Sequence, residues 1–177
     1  PFSNITYSKD GGNTWVTTNP AASESTTENM AVELTDGSIM LNMRANANRN
    51  DTTDSNGRAV AVTKDLGKTW RIHPTSHNAL PEPVCMASIV RHDSTRNGQQ
   101  KSLLIFCNPD SKVARNNITL KVSYDDGLTW HPRVLLDEKK GRGYSCITSI
   151  DENTIGVLYE SSQADLVFQA IKLEELL

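Results

Sequence analysis

SKDGGNTW (8–15), TKDLGKTW (63–70) and SYDDGLTW (123–130) are three copies of one pattern, Ser/Thr-x-Asp-x-Gly-x-Thr-Trp. Their starts are separated by 55 and 60 residues, and each of the chain's 3 tryptophans closes a copy. The octamer has the chemistry of a hairpin turn. Asp10, Asp65 and Asp125 can accept backbone N–H bonds inside the turn. Gly12, Gly67 and Gly127 can supply the positive φ that a tight hairpin needs. Each Trp can then restart a strand and lay its indole against the sheet. Three equivalent copies argue for a structural turn rather than for catalytic or metal-binding aspartates. Such a period belongs to arrays and propellers, in which each repeat is a small sheet unable to bury its own faces.

Between the octamers the chain reads as short strands. VELTDGSIMLNMR (32–44) is two alternating runs around a Thr-Asp-Gly turn, and GRAVAVT (57–63), KSLLIFC (101–107), NITLKVS (117–123), SCITSI (145–150) and TIGVLYE (154–160) follow the same style. ANANRNDTTDSNG (45–57) and RHDSTRNGQQ (91–100) read as polar loops, and only the tail QAIKLEELL (169–177) could turn helical. The expectation is an all-β chain of about three four-stranded blades of a β-propeller. A propeller must close to remove its edges, and closure takes more blades than these. PFSNITYSKD at the N-terminus lacks Met and any leader pattern and enters a strand-like pattern at once. Residues 1–177 therefore read as the C-terminal part of a propeller that an N-terminal portion, or a second chain, completes.

Composition excludes several classes. A net charge of −3, with no Lys/Arg block, argues against nucleic acid as the main partner, and no apolar run is long enough to span a membrane. Cys85, Cys107 and Cys146 lie far apart, with no CxxC or CxxH spacing, so neither a metal nor another cofactor is expected. They read as three small buried apolar groups.

The octamers are similar to the Asp-box motifs of the sialidase (neuraminidase) superfamily. TENMAVELTDGSIMLNMRAN (27–46), RNNITLKVSYDDGLTW (115–130) and GYSCITSIDENTIGVLYE (143–160) resemble, in order and spacing, the last three catalytic segments of bacterial and animal exo-α-sialidases. The likeness runs over essentially the whole chain. It implies a six-bladed propeller in the complete protein, sialylated glycans as substrate, and a secreted, periplasmic or cell-surface location. It places the family's catalytic glutamate on Glu28, two carboxylate-binding arginines on Arg44 and Arg115, the nucleophilic tyrosine on Tyr144, and an arginine-supporting glutamate on Glu160. Glu24 and Glu33 compete with Glu28, which the spacing to Arg44 favours. The family's first arginine and its acid/base aspartate belong to segments that precede these residues and do not occur here.

Those residue types suit the implied substrate. Sialic acid carries a carboxylate on its anomeric carbon, and arginine's planar fork binds carboxylate bidentately. An anionic nucleophile approaching that centre would be repelled, by about 4 kcal/mol at 4 Å for an effective dielectric near 20. A neutral phenol avoids the repulsion. With a pKa of about 10 it needs a base, for which Glu28 is the candidate. The expected reaction is retaining hydrolysis through a sialyl–Tyr144 intermediate. The alternatives are a non-catalytic sialic-acid-binding or Asp-box interaction propeller, and a trans-sialidase. Asn46, Arg58 and Asn108 are further polar residues that could line a pocket.

Overall fold

The computed structural model describes residues 1–96 and 98–177. Its strands are β1 (Thr6–Tyr7), β2 (Val16–Thr17), β3 (Thr26–Glu33), β4 (Ile39–Ala45), β5 (Ala59–Thr63), β6 (Arg71–Ile72), β7 (Ser88–Arg96), β8 (Gln99–Pro109), β9 (Ile118–Ser123), β10 (His131–Asp137), β11 (Ser145–Asp151), β12 (Thr154–Tyr159) and β13 (Val167–Lys172). They pair antiparallel as sheets ordered β3-β4-β5-β6, β7-β8-β9-β10 and β11-β12-β13, with β1-β2 as a separate hairpin. The fold is a partial β-propeller. Two blades have four strands, the third has three, and the hairpin repeats the outer half of a blade, where three four-stranded blades were expected.

The repeated octamers join β1 to β2, β5 to β6 and β9 to β10. The aspartates accept the backbone N–H of Thr14 at 2.9 Å, Thr69 at 2.9 Å and Thr129 at 2.8 Å. Gly12, Gly67 and Gly127 have φ of 94°, 77° and 85°, and the residue after each Trp begins a strand. Hydrogen bonds from the Thr14 hydroxyl and amide draw Asp10 down to about 2. Those from the Thr69 amide and hydroxyl do the same for Asp65. Both turns therefore keep their charge in all but strong acid.

The two later boxes also clasp neighbouring blades. Asn19, just beyond β2, donates its amide to Gly67 O at 3.1 Å and accepts from the Trp70 indole at 3.0 Å. Asp126 accepts both the amide and the hydroxyl of Thr35 in the β3–β4 turn.

The core lies between blades, and the middle strands feed it from both faces. Along β8, Leu103, Ile105 and Cys107 pack towards β11–β13, while Leu104 and Phe106 pack towards β3–β6. Along β4, Met40 joins that second cluster, and Leu41, Met43 and Ala45 join Ala21, Ala59 and Ala61 on the other side. Burial on both faces makes Leu103–Cys107 of β8 a continuous apolar run, where a strand with one solvated face would alternate.

Three expectations are corrected. RHDSTRNGQQ is not an open loop: β7 and β8 pair across it to Arg96↔Gln99, and only Asn97 of that stretch lies outside the described residues. Its alternating Arg, Asp, Thr and Gln are the solvated side of a hairpin. The tail is not an α-helix, because residues up to Lys172 belong to β13, paired with β12, and only a 3-10 turn at Leu173–Glu175 follows. Cys85 and Cys107 are buried, but Cys146 is exposed. Period-two alternation turns Cys146 to the face that carries Leu158 and Phe168, its neighbours across β12 and β13, and both of these are exposed.

Candidate active site

The starts of β3, β7 and β11 lie at one end of the blades, and the polar residues singled out from sequence gather there. Glu28 reaches the site through a bulge. Thr27 pairs with Arg44 and Asn29 with Met43, so Glu28 is an extra residue in β3, and its φ is 40°. A bulge re-aims a side chain without breaking the sheet. Here it brings the Glu28 carboxylate to Arg44, which stands on the neighbouring strand. Arg44 Nη1 donates to Glu28 Oε2 at 2.5 Å and lies 3.5 Å from Tyr144 Oη.

Tyr144 is delivered by the residue before it. Gly143 has φ of 87°, and a Cβ there would lie 2.9 Å from Pro109 Cγ, 3.2 Å from Arg115 Cβ and 3.3 Å from Cys85 Sγ. Only glycine fits. The Tyr144 hydroxyl donates a short hydrogen bond to Glu28 Oε1. Its carbonyl accepts from the Glu160 amide at 2.9 Å, and its own amide donates to Glu160 Oε2 at 3.3 Å. Arg115, in the β8–β9 loop, holds its guanidinium over the Tyr144 ring, 5.5 Å from the centroid. Two carbonyls fix that group, Arg142 O and Val84 O, each at 3.0 Å.

Electrostatics divides the two acids clearly. Burial pushes the Glu28 carboxyl up, but hydrogen bonds from Tyr144 and Arg44, with the charges of Arg44 and Arg115, outweigh it and leave it below the usual glutamate value. The hydrogen bond to Glu28 raises Tyr144 above an ordinary phenol, and burial and the Glu28 charge add to this. At neutral pH the pair is a carboxylate and a phenol, which is a base already holding the proton it could take. Beside them stand two guanidiniums able to hold an anion.

The structure thus brings Glu28, Arg44, Arg115 and Tyr144 together, with Glu160 against the Tyr144 backbone. Glu160 takes part in none of the ion pairs among the described residues. Glu24 forms an isolated bridge with Phe2, and Glu33 is exposed at the far end of β3. A cavity of about 500 Å³ shares Arg44 and Arg115 with the cluster and is bounded also by Arg49, Thr52, Val84 and Lys112. Lys112 ties its two walls together, donating to Thr53 O at 2.7 Å and Asp54 Oδ1 at 3.1 Å.

Arg58 and Asn108 do not line it. Each is 1% exposed, because Arg58 pairs with Glu82 at 2.6 Å and Asn108 accepts from the buried Lys121 ammonium at 2.5 Å. Glu82 escaped the sequence reading altogether. Its one signal is position, a lone carboxylate between two prolines in PEPVC (81–85).

Residues 2–157 match the family described as BNR repeat-like domain. The chain belongs to that family. Among BNR repeat proteins it is 49% identical over 179 residues to a sialidase of Bacteroides fragilis (strain YCH46), covering 100% of this chain and 31% of that one. It is 35% identical over 156 residues to a sialidase of Micromonospora viridifaciens, covering 87% of this chain and 23% of the other. The solved structure of Hadza microbial sialidase Hz136 superposes with a TM-score of 0.90 at 46% identity, covering 100% of this chain and 33% of that chain. This BNR repeat chain therefore spans at most about a third of the length of these relatives.

Proposed function

We propose that this chain supplies the nucleophile, its base and two carboxylate-binding arginines of an exo-α-sialidase, which releases terminal α-linked sialic acid from glycoproteins, glycolipids and oligosaccharides. The observation that carries this reading is the Tyr144 phenol donating to the Glu28 carboxylate between the guanidiniums of Arg44 and Arg115. A propeller that only bound sialic acid would have no use for a base aimed at a phenol. The three relatives described above, each a sialidase, support the same reading.

In the reaction, Glu28 Oε1 takes the phenolic proton while Tyr144 Oη bonds to the anomeric carbon. The bond to the leaving sugar breaks, and that oxygen takes a proton from an acid contributed by the rest of the protein. Water then attacks the same carbon, giving its proton back to the acid that protonated the leaving oxygen, and Tyr144 departs with the proton held by Glu28, giving net retention. Keeping the nucleophile neutral until attack avoids its repulsion from the substrate carboxylate. Arg44 and Arg115 anchor that carboxylate. Glu160 holds a further arginine supplied by the remaining blades, which also cover the apolar ends of this chain. An extracellular or periplasmic address follows from such a substrate.

A 2,3-difluoro sialic acid probe tests the reading on the complete protein. The adduct is expected on the peptide containing Tyr144. Labelling elsewhere removes the assignment of the nucleophile, and tight sialic acid binding with neither labelling nor cleavage makes the protein a lectin.

A further inference from the structure

Arg58 and Glu82 form an ion pair that is 1% and 0% exposed. Desolvating two charges offsets most of their attraction, so such a pair adds little net stability over a well-packed apolar one. Its contacts point to another role. Arg58 Nη1 donates to Glu82 Oε2 at 2.6 Å and to Cys85 O at 2.7 Å. Its Nε donates to Asn42 Oδ1 at 2.7 Å, and Nη2 reaches the Glu28 carbonyl at 3.5 Å. The other oxygen of Glu82 accepts the amide of Ala45, the residue after Arg44, at 2.6 Å and the Asn48 side chain at 3.0 Å. The carbonyl preceding Cys85, that of Val84, is the one that Arg115 holds. Every segment bearing a site residue on β3, β4 and the approach to β7 thus ends on this one pair.

Two of those segments are strained. Glu28 and Val84 have φ of 40° and 53°, in the left-handed region where a β-branched residue such as Val is an outlier. Such conformations are costly and persist only when their surroundings over-determine them. Arg58 holds the carbonyl of Glu28 itself and the carbonyl next beyond Val84.

We propose that Arg58 and Glu82 are a positioning pair for the Tyr144–Glu28 dyad. They lock the Glu28 bulge, the end of β4 at Arg44 and the Val84–Cys85 turn under Arg115 in the one arrangement that aims the carboxylate at the phenol. The proposal rests on the sialidase reading, which the wild-type protein tests separately. The experiment compares E82Q, the double variant R58M/E82Q, and R58K in the complete protein, using a fluorogenic aryl sialoside. Rates are taken at a temperature where circular dichroism shows each variant folded.

E82Q leaves a buried uncompensated cation and is expected to lose both melting temperature and rate. R58M/E82Q removes both charges, so its melting temperature returns close to that of the wild type while kcat stays down. That loss is on the order of a hundredfold, the effect of a misplacement of about 1 Å, with KM little changed. The acid limb of kcat/KM moves up, as Glu28 loses its fixed contacts with Arg44 and Tyr144. R58K keeps the charge without the fork and falls between, at unchanged melting temperature. Wild-type kcat and acid limb in the double variant would mean a merely structural pair and overturn the proposal. If the double variant does not fold, R58K decides on the same two readouts. Absence of cleavage by the wild type removes this proposal together with the sialidase reading, a result distinct from an active wild type with an equally active double variant.

Discussion

Glu28 has two partners that pull it the same way. Arg44 and the Tyr144 hydroxyl both stabilise its charged form and, against burial, hold its carboxyl below the usual glutamate value. As the proposed base it must be ionised, so the expected activity is present above that lowered pKa and is lost as pH falls through it. The acid limb of kcat/KM is expected below the ordinary glutamate range. Glu28→Gln keeps the shape, removes the base and should lower kcat by about 10²–10⁴, with KM near the wild-type value and the Glu28-dependent acid limb gone. A pH–rate profile of both proteins checks this, and an acid limb unchanged in Glu28→Gln would assign the base elsewhere. Tyr144, Arg44, Arg115 and Glu160 were named through the likeness of their segments to sialidase segments, and the structure gathers the first three around Glu28, with Glu160 against the Tyr144 backbone. The Glu28 bulge was not legible in sequence, since one unpaired residue leaves no mark in a periodic pattern. Nor was the Arg58–Glu82 pair, because two charges in polar or proline-rich stretches read as solvated until the fold buries them.

At the scale of the element, the Asp box is both a turn and a joint, and the glycine in it serves both purposes. A Cβ on Gly67 would lie 2.6 Å from Thr18 Cβ and Cγ2, whereas one on Gly127 would meet the Met40 methyl at 2.9 Å. Either substitution to alanine pays for a left-handed backbone, about 1–2 kcal/mol. The difference lies in the neighbour. Met40 ends in a flexible thioether that can swing aside, while Thr18 is β-branched and close to its own backbone. Gly67→Ala should therefore destabilise the complete protein by roughly 1–3 kcal/mol more than Gly127→Ala, as overpacking of a tight contact does. Denaturant unfolding of the two variants measures it, and equal losses would show that the blade contact at Thr18 is slack. The turns and inner strands were legible because hairpin chemistry is local and because short apolar-rich runs between turn residues mark strands. The hairpin over residues 91–100 was hidden by its solvated side chains, and the strand ending the chain by Leu and Glu residues that favour helix until β12 offers β13 a partner.

At the scale of the molecule, the three boxes have the same chemistry in unequal surroundings. Trp70 and Trp130 are partly covered, with the Trp70 indole bonded to Asn19 O and Trp130 lying 5.6 Å from the Phe106 ring. Trp15 is 64% exposed, and among the described residues no blade stands over it as β1–β2 stand over the second box. At the opposite end Phe168 and Leu166 are 60% and 61% exposed, on or beside β13, which has no outer neighbour among the described residues. Each such side chain stands to gain about 1.5–3 kcal/mol from full burial, and an open, apolar edge strand invites pairing with other chains. The 177 residues expressed alone should therefore associate, bind a hydrophobic dye and show no cooperative thermal transition. They should also lack sialoside cleavage, because the acid and the further arginine of the proposed site come from elsewhere in the protein. Within the complete protein the covering blades should shield Trp15, so acrylamide should quench a variant retaining Trp15 alone far less than it quenches the isolated chain carrying the same substitutions. Sedimentation and quenching decide together: a monomeric, cooperatively melting isolated chain, with Trp15 equally accessible in both proteins, would mean that these end faces are solvent surfaces and that no further blades pack on them.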